Sequence, residues 1–179
     1  VCGIGKIPFA PGTFGSLFGV GVFILLSLFS ANLIDIIKNF FTDNNYKNTI
    51  IILAFLSIML ILFIIGVWAS SRYANSTGNN DPKEVVIDEV VGQLIVLFFT
   101  TPIILNLVIN NKFLWFILMY VGPFIAFRMF DIVKPWPIKW LDKNIKGGFG
   151  IMLDDVMAAF MAIIVYNGII FYLIDHKII

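Results

Sequence analysis

The chain reads as five long apolar runs separated by polar stretches. A helix needs about 20 mostly apolar residues to span a bilayer. The first run, Leu17–Ile37, is weakened near its end by Asn32 and Asp35. Thr49–Ala69 is the most uniformly apolar. Val85–Ile109 carries an acid pair near its start and Pro102 inside, where a kink is expected. Phe113–Phe130 is short, with Gly122-Pro123 as its predicted bend. Ile151–Ile174 is the fifth. The pattern predicts one domain over residues 1–179: an all-α integral membrane protein, a compact bundle of about five hydrophobic helices. One or two of these are expected to be kinked or re-entrant, with an active site at one membrane face.

The connections differ in character. Lys38–Asn48 is an ordinary polar loop and Asn110–Lys112 a tight turn. Asn75–Glu84 is rich in helix breakers and leads into a helix. Asp131–Gly150 is long and mixes basic residues with Trp, Pro and Gly. If all five runs cross, three unusual segments share one side: Gly3–Ser16, Asn75–Glu89 and Arg128–Asp155. That side also holds Lys6, Arg72, Lys83, Arg128, Lys134, Lys139, Lys143 and Lys146, against Lys38, Lys47, Lys112 and Lys177 opposite. The imbalance predicts that the shared side is cytoplasmic.

Composition agrees with a membrane location: 60% hydrophobic residues and 13% charged, where soluble domains carry about 25%. Mean hydropathy is +0.98. A net charge of +1 gives no global field to draw nucleic acid, so none is expected as a partner. Cys2 is the one cysteine, which excludes an intrachain disulfide. The sequence starts at Val1 without an initiator Met, so an incomplete N-terminus is expected; Gly3–Ser16 is too rich in Gly and Pro for a signal peptide.

The acids carry the chemistry. Asp88 and Glu89 open the third apolar run, Asp131 closes the fourth, and Asp154 and Asp155 open the fifth. Ionised carboxylates at the edge of hydrocarbon are costly, so five on one side point to a cation and phosphate site. Asp81, Glu84 and Asp88 are spaced to share a helix face, and Glu89 should project about 100° from Asp88. Such hard oxygens suit Mg²⁺. A solvated first turn favoured by the helix dipole would account for Asp81 and Glu84, less well for Asp88 and Glu89.

Arg128 and Asp131 read either as a structural ion pair or as a phosphate clamp beside a metal ligand. Trp136 and Trp140 read as interfacial anchors, and Met152, Met157 and Met161 as packing residues. The glycines and prolines of Gly3–Ser16 predict a non-helical loop, with Thr13 or Ser16 capping the first helix towards an anion. No Gly-Lys-Ser/Thr triplet follows, so it is not a Walker loop. Cys2 lacks the arginine of a cysteine phosphatase, and His176 is a tail residue. Carboxylates, Mg²⁺ and water remain, with Lys6, Arg128 and Lys134 to neutralise phosphate and Thr13 to donate a hydrogen bond.

Four blocks then carry a resemblance. P-x-A-P-G-T-x-G-S at Pro8–Ser16, D-P-x-x-V-V-x-D-E-x-x-G at Asp81–Gly92, F-R-x-F-D-I-x-K-P-W-P-I at Phe127–Ile138 and G-G-x-G-I-M-L-D-D-V at Gly147–Val156 resemble the phosphatidylglycerophosphatase A family, in order and over most of the chain. The pattern departs at Ala159, where the family's glycine is expected; tighter packing should follow. The resemblance implies a phosphoric monoester hydrolase that removes the terminal phosphate of phosphatidylglycerophosphate with Mg²⁺. It implies a bacterial inner membrane, with the phosphate handled at the cytoplasmic face. The matching acids, expected to hold metal, are Asp81, Asp88, Glu89, Asp131, Asp154 and Asp155; Asp88, Glu89, Asp154 and Asp155 are the expected catalytic set. Two rivals stand beside this reading. A lipid phosphotransferase would also need clustered Asp and Mg²⁺, but the long Asp-Gly…Ala-Arg…Asp pattern of the enzymes that join an alcohol to a CDP-lipid is missing. An ion or phosphate carrier would need a site open to both faces, and here the acids are one-sided.

Overall fold

The computed structural model describes residues 3–29, 46–79, 82–107 and 109–178, without the side chains of 46–51 and 54. A short 3₁₀ turn, Ile4–Lys6, precedes helix α1, Pro11–Phe29. There follow α2, Tyr46–Thr77, and α3, Ile87–Leu105. Next come α4, Lys112–Phe116, a π-helical turn Ile117–Val121, and α5, Gly122–Val133. A short α6, Ile138–Asn144, leads to α7, Gly147–Asp175. Among the described residues there is no strand, and five stretches are long and apolar enough to cross a bilayer: Pro11–Leu28, Phe55–Thr77, Ile87–Leu105, Lys112–Val133 and Gly147–Asp175. The expected all-helical bundle is observed.

Helix α3 is the axis of the bundle. Of its span 72% is buried, against 28% or less for each of the others. Phe23 of α1 and Phe55 of α2 pack on Leu94, Leu97 and Phe98. Deeper along α7, Ala158, Ala159 and Ala162 meet Val96 and Phe127. At the far end Ile104, Met119, Tyr166 and Ile170 close the core. The outer helices leave Leu28, Ile61, Ile64, Ile164 and Phe171 exposed, as lipid-facing surface requires. Ala159 is fully buried.

Several boundaries differ from the sequence reading, each for a physical reason. Helix α1 begins at Pro11 and not at Leu17, so residues 11–16 are helical. Proline suits the first helical position, where its missing N–H would be unpaired in any case. Glycines of α1 serve packing: a Cβ on Gly19 would stand 3.1 Å from the Gln93 Cβ and the Val90 carbonyl of α3. Residues 30–37 of the first run, and 38–45 of the loop after it, lie outside the described residues. Helix α2 runs on to Thr77, eight residues past Ala69, because polar residues beyond the hydrocarbon can stay helical.

Helix α3 starts only at Ile87, so Glu84 is not on a helix face with Asp88, and Asp81 lies outside the described residues. It continues through Pro102 without a break. Pro123 cannot donate to the carbonyl four residues before it, and the chain widens into the π turn just ahead of it. The long connection 131–150 contains α6, unforeseen from the sequence, with Ile138 buried and Trp136 and Trp140 exposed.

Replacing Gly19 with Leu should push α1 off α3 and cost about 1–3 kcal/mol. Thermal unfolding in mild detergent measures this, and an unchanged midpoint would mean that α1 is not seated on α3 as described.

Candidate active site

Five elements converge on one cavity of about 330 Å³ at one end of the bundle. The start of α1 contributes Ala10, Pro11 and Gly12, and the first turn of α3 contributes Asp88 and Glu89. Arg128 and Asp131 come from the end of α5, Asp142 from α6, and Asp154 and Asp155 from the second and third turns of α7. Lys134, just past α5, completes the ring with a left-handed φ of 44°. That backbone disfavours a side chain with a Cβ, so the chain bears a small local strain to reverse towards α6.

The acids divide into two groups. Asp131 takes the guanidinium of Arg128 in an ion pair, and the same guanidinium donates to Ser16 Oγ at 3.3 Å. Lys134 Nζ bridges α6 and α7, donating to Asp142 Oδ1 at 3.2 Å and to Asp154 Oδ2. Burial alone would lower the Lys134 pKa, but the Asp154 and Asp142 carboxylates outweigh it and hold the ammonium above the ordinary lysine value.

Asp88, Glu89 and Asp155 form the second group. Each offers an oxygen within 4.8 Å of the other two. Asp88 Oδ1, Glu89 Oε2 and Asp155 Oδ2 are buried without a hydrogen-bond partner among the described residues. Asp155 is 3% exposed. Three carboxylates this close repel one another, and a buried carboxylate without a partner is expensive. A divalent cation relieves both costs, and an all-oxygen donor set fits a hard one. The cluster can therefore hold a metal ion.

Expected divergence of Asp88 and Glu89 does not separate them: both line the cavity, and both join Asp155. Gly12 makes the crowding possible, since a Cβ there would collide with Glu89 Oε1 and lie 3.2 Å from the Arg128 guanidinium. Lys6 and Thr13 do not line this cavity; Lys6 borders a neighbouring groove and Thr13 sits in the first turn of α1. Sequence reading missed Asp142 as part of the site; it placed Gly12 in a loop and gave Thr13 or Ser16 a capping role, whereas Gly12 and Ser16 lie inside α1 and the Ser16 hydroxyl accepts from Arg128. Asp142 sits among Lys139, Lys143 and Lys146 in a segment read as a loop, which hid its inward turn.

Comparison with known proteins decides the family. The family model for phosphatidylglycerophosphatase A matches residues 1–170. The chain belongs to the phosphatidylglycerophosphatase A family. The phosphatidylglycerophosphatase A of Escherichia coli is 28% identical over 174 residues, covering 97% of this chain and 80% of that one. Its namesake in Haemophilus influenzae is 33% identical over 96% of this chain and 86% of that protein. A Bacteroides thetaiotaomicron protein, provisionally named a phosphatidylinositol-3-phosphatase, is 31% identical over 87% of this chain and 80% of its own length. No solved structure matches. The chain is thus a multi-pass membrane phosphatase of this family, with bacterial relatives.

Lys134→Met would leave Asp154, 5% exposed, without its cation and untie α6 from α7. A loss of about 1–3 kcal/mol is expected. Adding Asp154→Asn should restore part of it, a coupling that a double-mutant cycle on detergent-solubilised protein measures.

Proposed function

We propose that this protein hydrolyses the terminal phosphomonoester of phosphatidylglycerophosphate, giving phosphatidylglycerol and phosphate, with Mg²⁺ as its cofactor. The observation that carries the reading is the trio Asp88, Glu89 and Asp155, each with a buried carboxylate oxygen that lacks a hydrogen-bond partner among the described residues, in a cavity at one end of a membrane bundle of this family. These three would hold the metal. When bound, a divalent cation polarises a phosphoryl oxygen and makes water more acidic.

The chain's own residues do the remainder. Arg128, held in position by Asp131 and Ser16, faces the phosphate with its guanidinium. The amide end of α1 at Gly12 adds partial positive charge. As the water oxygen bonds to phosphorus, its proton passes to the Asp154 carboxylate; the bond from phosphorus to the ester oxygen breaks, and Asp154 returns the proton to that oxygen, which leaves as the alcohol. The ion pair with Lys134 holds the Asp154 carboxylate in position. Asp131 and Asp154 are outer members of the set expected from the sequence, and Asp81 has no described position. The name of the Bacteroides relative supports a second substrate, a phosphoinositide with its monoester on the ring.

The excess of Lys and Arg on the side of the site supports a cytoplasmic-facing cavity in the bacterial inner membrane. In a Cys2→Ser background, Lys146→Cys should react with an impermeant thiol reagent only when the cytoplasmic face is open to it. Labelling from the outer face of sealed spheroplasts would reverse the orientation.

The decisive assay is phosphate release in mixed micelles from phosphatidylglycerophosphate, phosphatidylinositol 3-phosphate and phosphatidate, with Mg²⁺ or with chelator. Release should be fastest from the first and need the metal. Asp155→Asn should cut turnover by about 10²–10⁴-fold with its unfolding midpoint retained. Full activity in that variant, or in chelator, overturns the proposal.

A further inference from the structure

The acid cavity adjoins a second groove of a different charge. A space of about 420 Å³ shares Pro11 and Lys83 with the cavity and adds Lys6, Tyr73 and Glu84. It adjoins in turn a more apolar slot of about 380 Å³, bordered by Ile65, Gly66 and Ala69 of α2. That slot shares Lys6, Tyr73 and Glu84 with the groove and Val85 with the acid cavity. Three adjoining spaces therefore present, in turn, the carboxylates, two lysines and an apolar slot beside α2.

The backbone holds the two lysines in this groove. Gly5, in the 3₁₀ turn, packs directly on the Glu84 carbonyl, so close that a Cβ could not be accommodated. This seats the turn carrying Lys6 on the segment carrying Lys83. Among the described residues neither lysine has an ion-pair partner, and Glu84, exposed in the same groove, pairs with neither. Arg128 and Lys134, by contrast, are both committed to carboxylates.

We infer that Lys6 and Lys83 form a second phosphate subsite, which binds the phosphodiester of a lipid whose terminal phosphomonoester occupies the acid cavity. This rests on the lipid-phosphatase reading above. The order of chemistry across these spaces matches such a lipid: a monoester at the carboxylates, a diester at the lysines, an acyl chain in the slot. A lipid with its only phosphate on the glycerol backbone, such as phosphatidate, cannot place one phosphate at each end. The lysine pair would thus set substrate choice without touching the reacting atoms.

The test compares kcat/KM for phosphatidylglycerophosphate and phosphatidate in wild type, in the Lys6→Ala/Lys83→Ala double variant and in the Lys6→Arg/Lys83→Arg variant. The alanine variant should lose about tenfold to a hundredfold on phosphatidylglycerophosphate, mostly through KM, and change little on phosphatidate. The arginine variant should recover most of the loss, and added salt should narrow the wild-type preference. Equal losses on both lipids, or none on either, overturn the inference. Wild type acting on both lipids alike would overturn it and leave the lipid-phosphatase reading standing, whereas wild type inactive on both removes that reading and the subsite with it.

Discussion

Mutual repulsion among Asp88, Glu89 and Asp155 is the constraint around which the rest of the molecule is arranged. Three carboxylates within 4.8 Å of one another at the edge of an apolar bundle would drive apart any loosely packed set of helices. Helices α3 and α7 hold them because their contact is long and made of small residues on the α7 side, Ala158, Ala159 and Ala162. Phe127 of α5 fills the angle between them, with its ring edge 2.6 Å from where a Cβ on Gly92 would stand. The packing thus maintains a charge cluster that a divalent cation would stabilise. This is an arrangement expected of a metal-dependent site and of few structural ones.

The remaining charges keep that cluster distinct. Every other acid lining the cavity has a cation: Asp131 has Arg128, and Asp142 and Asp154 share Lys134. The Lys134 pairs tie the end of α5 to α6 and α7 beside the cavity. They also explain why six acids in one cavity need not mean six metal ligands. A carboxylate already bonded to a half-buried guanidinium or ammonium gives up that interaction if it turns to a metal, while the free oxygens of the trio have no hydrogen bond to give up.

Much of this was legible in the sequence, because apolar runs and crossing parity are local and additive properties. Five runs could be found by length, and counting crossings put Asp88, Asp131 and Asp155 on one side without any knowledge of packing. The start of α1 was not legible. Glycine and proline usually punctuate a helix, and only the neighbouring surface of α3 makes Gly12 and Gly19 helix-packing residues. Nor could the sequence divide the acids, since the partner of Asp154 lies 20 residues away and is reached through a reversal at Lys134. Lys6 was rightly read as sharing the side of the site, but the 3₁₀ turn carries it into the adjoining groove.

Depth links the site to a lipid substrate. With 29 residues α7 is about 43 Å long, some 13 Å more than a hydrocarbon core of about 30 Å. Shared between both ends, the excess lifts roughly the first four or five residues of α7 into the headgroup layer. Asp154, seven residues from Gly147, then lies only a few ångströms beneath the boundary. Exposed Trp136 and Trp140 on the adjoining segment suit the same level. A lipid phosphate in the headgroup layer stands near the level of such a cavity while its acyl chains remain among their neighbours. A soluble phosphate ester would gain nothing from that depth, whereas a lipid need not leave the bilayer to react.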